Sequence, residues 1–194
     1  ELHHFKKSGN IDMHAFHLEF EKSSAPASIE KTSPYPEYYN FYLGNDPSKW
    51  TSGAKAYKKL IYKEIYPGVD LELIGKLQNL KYNFYVRPGG DPSEIVLTYD
   101  GIDKLKLKDG ELHVQTSVNE LIELEPYAYQ EGASGSVEVP CNFSVSSNSV
   151  RFHLPEGYDD SKTLVIDPNL IFASYSGSHA DNFGYTATYD DSGY

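Results

Sequence analysis

Three kinds of side chain in this 194-residue sequence have types and spacings that bear on chemistry: short-spaced histidines, clustered carboxylates and a dense aromatic run. His3-His4 and His14-x-x-His17 are the histidine candidates for a metal. Zinc needs three or four ligands within about 2.3 Å of one point. On an extended strand His14 and His17 face opposite sides, and the single cysteine, Cys141, has no C-x-x-C partner. A histidine metal centre is therefore not expected. Carboxylates gather at Asp159-Asp160, Asp181 and Asp190-Asp191. Oxygen-rich loops suit Ca²⁺, which makes Asp181, Asp190 and Asp191 the Ca²⁺ candidates. No D-x-D-x-D-G loop is present, so a solvated acidic loop is the plainer reading, and no cofactor is expected.

Catalysis finds no constellation. A glycosidase needs two carboxylates at a set separation in a cleft, and nothing marks out such a pair. The G-x-S-x-G elbow, the dinucleotide G-x-G-x-x-G and the P-loop are all missing. No catalytic residue is assigned, and the sequence reads as non-enzymatic.

The aromatic run is YYNFYLGNDPSKW, Tyr38 to Trp50, with five aromatics in thirteen positions and the only tryptophan. On a strand Tyr39, Phe41 and Leu43 share one face, while Tyr38, Asn40 and Tyr42 share the other. The first face is expected to enter the core, with Trp50 capping one end. The alternative is a sugar-stacking platform of exposed Tyr38, Tyr42 and Trp50, because tyrosine combines an apolar ring with a wet tip.

The elements that position these residues are strands. Seventeen tyrosines, and no long alanine or leucine runs at helical spacing, move the expectation to all-β. Phe16, Leu18 and Phe20 alternate with Ala15, His17 and Glu19. EKSSAPASIEKTSPYPE, with three prolines, reads as a loop or an irregular edge. Val69–Ile74 and Leu80–Val86 read as a hairpin across GKLQN, with Tyr82, Phe84 and Val86 buried and Lys81 and Asn83 on the opposite face. KLKLKDGELHV is two strands about an Asp109-Gly110 turn, with Leu105, Leu107, Leu112 and Val114 inward. IVLTY, ELIELE, YAYQ, VEVPCNFSV, SVRFHL, TLVIDP and LIFASYS continue the strand pattern. DPSKW and DPSEI each place Asp before Pro, the signature of a capped helical turn. The predicted class is a β-sandwich-like set of antiparallel sheets with one or two short helical turns.

The net charge of −11 argues against nucleic acid and anionic membrane, both of which need a basic footprint. No apolar run approaches the roughly 20 residues of a membrane span, so no membrane insertion is expected. One cysteine permits no internal disulfide. ELHHFKK at the start lacks the apolar core of a signal peptide, and DDSGY stops in mid-pattern. Both ends read as those of a piece of a longer protein.

The run NFYLGNDPSKW, then AYKKLIYKEIYPGVDLELIGKLQNLKYNFYVRPGGDPSEI, EPYAYQ and TLVIDPNLIFASYSGSHADNFGYTATYDDSGY together resemble a known family. It is the domain of unknown function that precedes SBBP-type β-propeller repeats in large secreted or cell-surface bacterial proteins, common in Bacteroidota. The resemblance runs from about Ala15 to Tyr194. It implies an all-β domain over 1–169 and a truncated lead-in to a first β-propeller repeat over 170–194. It also implies an extracellular or cell-surface location and a β-propeller downstream as partner. The function expected from residues and resemblance together is a non-catalytic structural or adhesion module. The alternatives are a polysaccharide-binding module using Tyr38, Tyr42 and Trp50, or an accessory domain of an extracellular degradative enzyme.

Overall fold

The computed structural model describes residues 14–76, 79–132 and 135–168, and the backbone of 170–171. In chain order the strands are β1 (His17–Phe20), β2 (Ser28–Phe41), β3 (Thr51–Tyr66), β4 (Val69–Lys76) and β5 (Asn79–Val86). Then come β6 (Val96–Asp100), β7 (Lys104–Lys108), β8 (Glu111–Gln115), β9 (Glu120–Glu123) and β10 (Tyr127–Gly132). The last are β11 (Gly135–Val139), β12 (Asn142–Ser146), β13 (Ser149–His153), β14 (Leu164–Asp167) and β15 (Leu170–Ile171). Among the described residues there is no α-helix, and two 3₁₀ turns occupy Pro47–Lys49 and Pro92–Glu94.

The strands build three antiparallel sheets. One has seven strands in the order β11-β10-β14-β5-β4-β3-β2; the others have four each, β1-β6-β13-β12 and β15-β9-β8-β7. One apolar cluster joins all three. Tyr82, Phe84 and Val86 on β5 and Leu164 and Ile166 on β14 contribute from the large sheet. Leu97 and Tyr99 on β6 and Phe152 on β13 meet them from the second, and Leu112 and Val114 on β8 from the third. Phe84, with 0% of its surface exposed, sits at the centre. Its ring meets those of Phe20, Tyr82 and Phe152 edge-on at 5.9, 5.7 and 5.7 Å.

Most of the sequence pattern survives. The β4–β5 hairpin holds its register from Val69↔Val86 to Lys76↔Asn79. Lys81 and Asn83 do face away from Tyr82 and Phe84, but that face is itself packed, and Asn83 is buried. Asp109 and Gly110 have φ of 51° and 82°, as a two-residue primed turn demands. Asp46 and Asp91 each cap their 3₁₀ turn by accepting a hydrogen bond from the amide of Ser48 (3.0 Å) and of Ser93 (2.8 Å).

One expectation changes, and one open alternative is decided. Leu107 is 45% exposed rather than inward, on β7, the outermost strand of its sheet. The proline-rich stretch is an irregular edge and not a loop: from Ser28 it is β2, the last strand of the seven, with register slips between Pro34 and Tyr38 and between Tyr39 and Phe41. Of LIFASYS, only Leu170–Ile171 fall within the described residues, paired with β9. The expected propeller lead-in beyond them lies outside the described residues.

Candidate functional site

The residues singled out for binding stand on β2 and the turn after it. The β3–β4 register begins at Lys59↔Ile74. Among the described residues the eight that precede Lys59 in β3, from Thr51, pair only with β2. Eight residues at about 3.3 Å each give a two-stranded arm of roughly 25 Å. Among the described residues this stretch has one strand partner, and of its rings Tyr35 and Tyr57 are half-buried. Tyr38 is 64% exposed, Tyr42 57% and Trp50 43%, and Tyr39, Phe41 and Leu43 are exposed as well. The expectation that Tyr39, Phe41 and Leu43 enter the core, with Trp50 capping it, is therefore overturned. Alternation along β2 is real, but Tyr38, Tyr39, Phe41, Tyr42 and Leu43 are exposed whichever way they face.

The structure brings two of the three candidates together. Tyr42 and Trp50 meet edge to face at 5.5 Å and 77°, and the Trp50 Nε1–H donates to the Gly44 carbonyl at 3.1 Å. Tyr38 lies further along β2, across the ribbon from Lys55. Lys58 Nζ sits 5.3 Å from the centre of the Tyr35 ring, a cation–π distance. At the far end Asp46 accepts from both the amide and the hydroxyl of Ser48. These bonds hold its carboxyl below the usual range and keep it ionised. The outer edge of β2 carries Pro34 and Pro36 and a left-handed Ser33 (φ 53°). Prolines and bulges on an edge discourage the addition of another strand. The arm thus offers side chains, not backbone.

A second surface escaped the sequence reading. The face of the seven-stranded sheet turned away from the core carries a polar layer. Glu72 on β4 pairs with Lys59 at 2.6 Å and accepts from Asn83 Nδ2 and the Tyr85 hydroxyl, each at 2.9 Å. Burial opposes ionisation of Glu72, but these three donors outweigh it and its carboxyl lies below the ordinary range. Asp70 takes Lys63 at 3.1 Å and the bulge amide of Glu64 at 2.9 Å. Lys81 pairs with Asp167 Oδ2 at 2.7 Å, while Asp167 Oδ1 and Asn83 Oδ1 are buried without a hydrogen-bond partner among the described residues. Beside Asp167, and opposite it in register, stands Tyr127. Its ring lies nearly parallel to that of Tyr129, at 5.6 Å and 29°. Burial and the charges of Asp167, Glu131 and Glu72 raise the Tyr129 hydroxyl above its usual value.

Tyr127 also lines a groove of about 310 Å³ with Glu125, Glu138, Pro140 and Asn142. A larger cleft of about 590 Å³ adjoins it, sharing Glu125 and Asn142 and reaching Leu107, Phe143 and His153. In its favoured amide orientation Asn142 donates to Glu125 Oε1 at 3.1 Å. The available signal for this surface is YAYQ, in which two tyrosines two residues apart must share a face.

The metal candidates resolve as follows. His14 is held by Ser117 Oγ at 2.8 Å and the Gly101 carbonyl at 2.7 Å. His3 and His4, and the Ca²⁺ candidates Asp181, Asp190 and Asp191, lie outside the described residues. Among the described residues no three His, Cys, Asp or Glu side chains group closely enough to hold an ion. Asp159 is committed to its own turn: hydrogen bonds from Ser161 and Lys162 hold it at about 2.

A model of a family described as a domain of unknown function, DUF7948, matches residues 1–169. No curated protein and no solved structure matches the chain. With 169 of its 194 residues covered by that one model, the chain belongs to the DUF7948 family of domains of unknown function.

Proposed function

We propose that this domain is a non-catalytic structural and adhesion module of a large secreted or cell-surface protein, and that the β2–β3 arm is its contact element. The observation that carries this reading is the exposure of Tyr38, Tyr42 and Trp50, with Tyr39, Phe41 and Leu43 beside them, on a stretch whose strands pair only with each other among the described residues. Isolated exposed rings are ordinary, but several on one short ribbon are a mark of a partner surface. Tyrosine and tryptophan suit that use because they cover large area with few rotatable bonds.

The resemblance to domains that precede SBBP-type repeats supplies the setting: export, a bacterial surface location and a β-propeller later in the same protein. The propeller is the partner this reading assigns to the arm. Insertion of the arm into a membrane is disfavoured by Asp46, an ionised carboxylate at its extremity.

The test is direct. The chain and the propeller region of its parent are produced separately and mixed, with Tyr38→Ser/Tyr42→Ser/Trp50→Ser as the comparison. Co-elution on size exclusion that the triple variant loses supports the reading. Equal behaviour of the two chains contradicts it.

A further inference from the structure

We propose that the Tyr127–Tyr129 pair and the groove beside it form a binding subsite for a neutral saccharide, separate from the arm. Three observations converge. First, the rings are near parallel, at 29°, whereas Tyr42 and Trp50 stand at 77° to one another. A pyranose stacks its C–H face on a flat ring surface, and the stack on Tyr129 holds the exposed Tyr127 ring in a fixed orientation. Tyr127 remains 39% exposed, so the surface is reachable.

Second, the stack adjoins a concave surface; the arm does not line either groove described above. Tyr127 is itself a wall of the 310 Å³ groove, and Glu125 and Asn142 continue it into the larger cleft. A few fixed polar groups beside an aromatic wall are the usual make-up of a small-molecule site.

Third, the polar groups are acceptors. Glu138 lies opposite Tyr129 in register and Asp167 opposite Tyr127. The groove carboxylates Glu125 and Glu138 are acceptors to which sugar hydroxyls can donate. The same carboxylates, Glu125, Glu138 and Asp167, repel a uronate or a sulfate, and Lys81 is already paired with Asp167. The chemistry therefore selects a neutral glycan over an acidic one.

Affinity electrophoresis of the full 194-residue chain through gels containing laminarin, xylan or galactomannan, with alginate as the acidic comparison, tests this. Retardation by at least one neutral polysaccharide and none by alginate is expected. Tyr127→Ala/Tyr129→Ala should weaken that association by about tenfold or more, the scale of one lost stacking contact. Glu125→Gln/Glu138→Gln, which leaves the rings in place, should weaken it several-fold with an unchanged circular dichroism spectrum. Trp50→Ala should bind as the parent chain does. Absence of retardation by all three neutral polysaccharides overturns the proposal. So does a folded Tyr127/Tyr129 variant that binds normally, or a preference for alginate. Loss of binding in Trp50→Ala alone would move the sugar to the arm, against this site but not against the arm as a contact element.

Discussion

The Glu123 carboxylate on β9 accepts a 2.8 Å hydrogen bond from the Tyr99 hydroxyl on β6, deep in the core. A second hydroxyl, Tyr82 on β5, donates to it at 3.1 Å. Each of the three residues comes from a different sheet, so this is a polar pin through the point where the sheets meet. Only 1% of Glu123 is exposed. Burial raises its carboxyl above the ordinary value, against the lowering effect of the two tyrosines.

The pin carries a pH signature. An unfolded chain releases this proton in the ordinary carboxylate range, while the folded chain holds it to higher pH. Between those two values the folded state binds more proton, so this group's contribution to stability falls as pH rises and stays lower above the window. Glu123→Gln removes that fall. Urea unfolding at pH about 4 and about 7 should show the variant gaining on the parent chain as pH rises; a pH-independent difference would contradict this. Glu123→Leu leaves two buried hydroxyls without an acceptor and should cost about 2 kcal/mol or more.

Phe84 is the apolar counterpart. It is fully buried and touches three other rings. Phe84→Ala should lower the unfolding free energy by about 3–5 kcal/mol. A loss under about 1 kcal/mol in denaturant titration would show that the sheets do not close over this ring.

Cys141 tests the same closure chemically. It is a buried free thiol, and burial, helped by the charge of Glu125, pushes it up to about 12. The thiolate is the reactive form. A maleimide or disulfide reagent at mildly alkaline pH should leave the folded chain unmodified and label it after denaturation. Rapid labelling of the native chain would place Cys141 at the surface.

How much of this was legible in the sequence varies residue by residue. Tyr82, Phe84 and Val86 declare themselves, because a strand between two covered neighbours must alternate. Asp109-Gly110 declares its turn through the positive φ that few other pairs accept. The aromatic run misleads: its period is genuine, but burial depends on where β4 stops pairing with β3, a matter of distant register. Glu123 is opaque for a related reason. It follows the inward parity of Leu121, and only the approach of Tyr82 and Tyr99 from other sheets makes an inward carboxylate tolerable. Tyr127 and Tyr129 are visible as a pair, but their groove is walled by Glu138, Pro140 and Asn142, which reach it only in the fold.

The arm's independence from the core has its own mutational signature. Tyr38→Ser and Tyr42→Ser should each change stability by under about 1 kcal/mol, as substitutions of exposed residues do. Thermal unfolding of each variant against the parent chain checks this. A loss of several kcal/mol would mean that the rings are packed.

Trp50, the only tryptophan, reports on the proposed contact surface. The decisive measurement is its fluorescence with acrylamide quenching, in the isolated chain and after addition of the β-propeller region proposed as its partner. A red-shifted, readily quenched signal that becomes protected on addition is the expected result. A blue-shifted signal that resists acrylamide in the isolated chain, or exposure that the propeller region leaves unchanged, would contradict the arm as the domain's contact element.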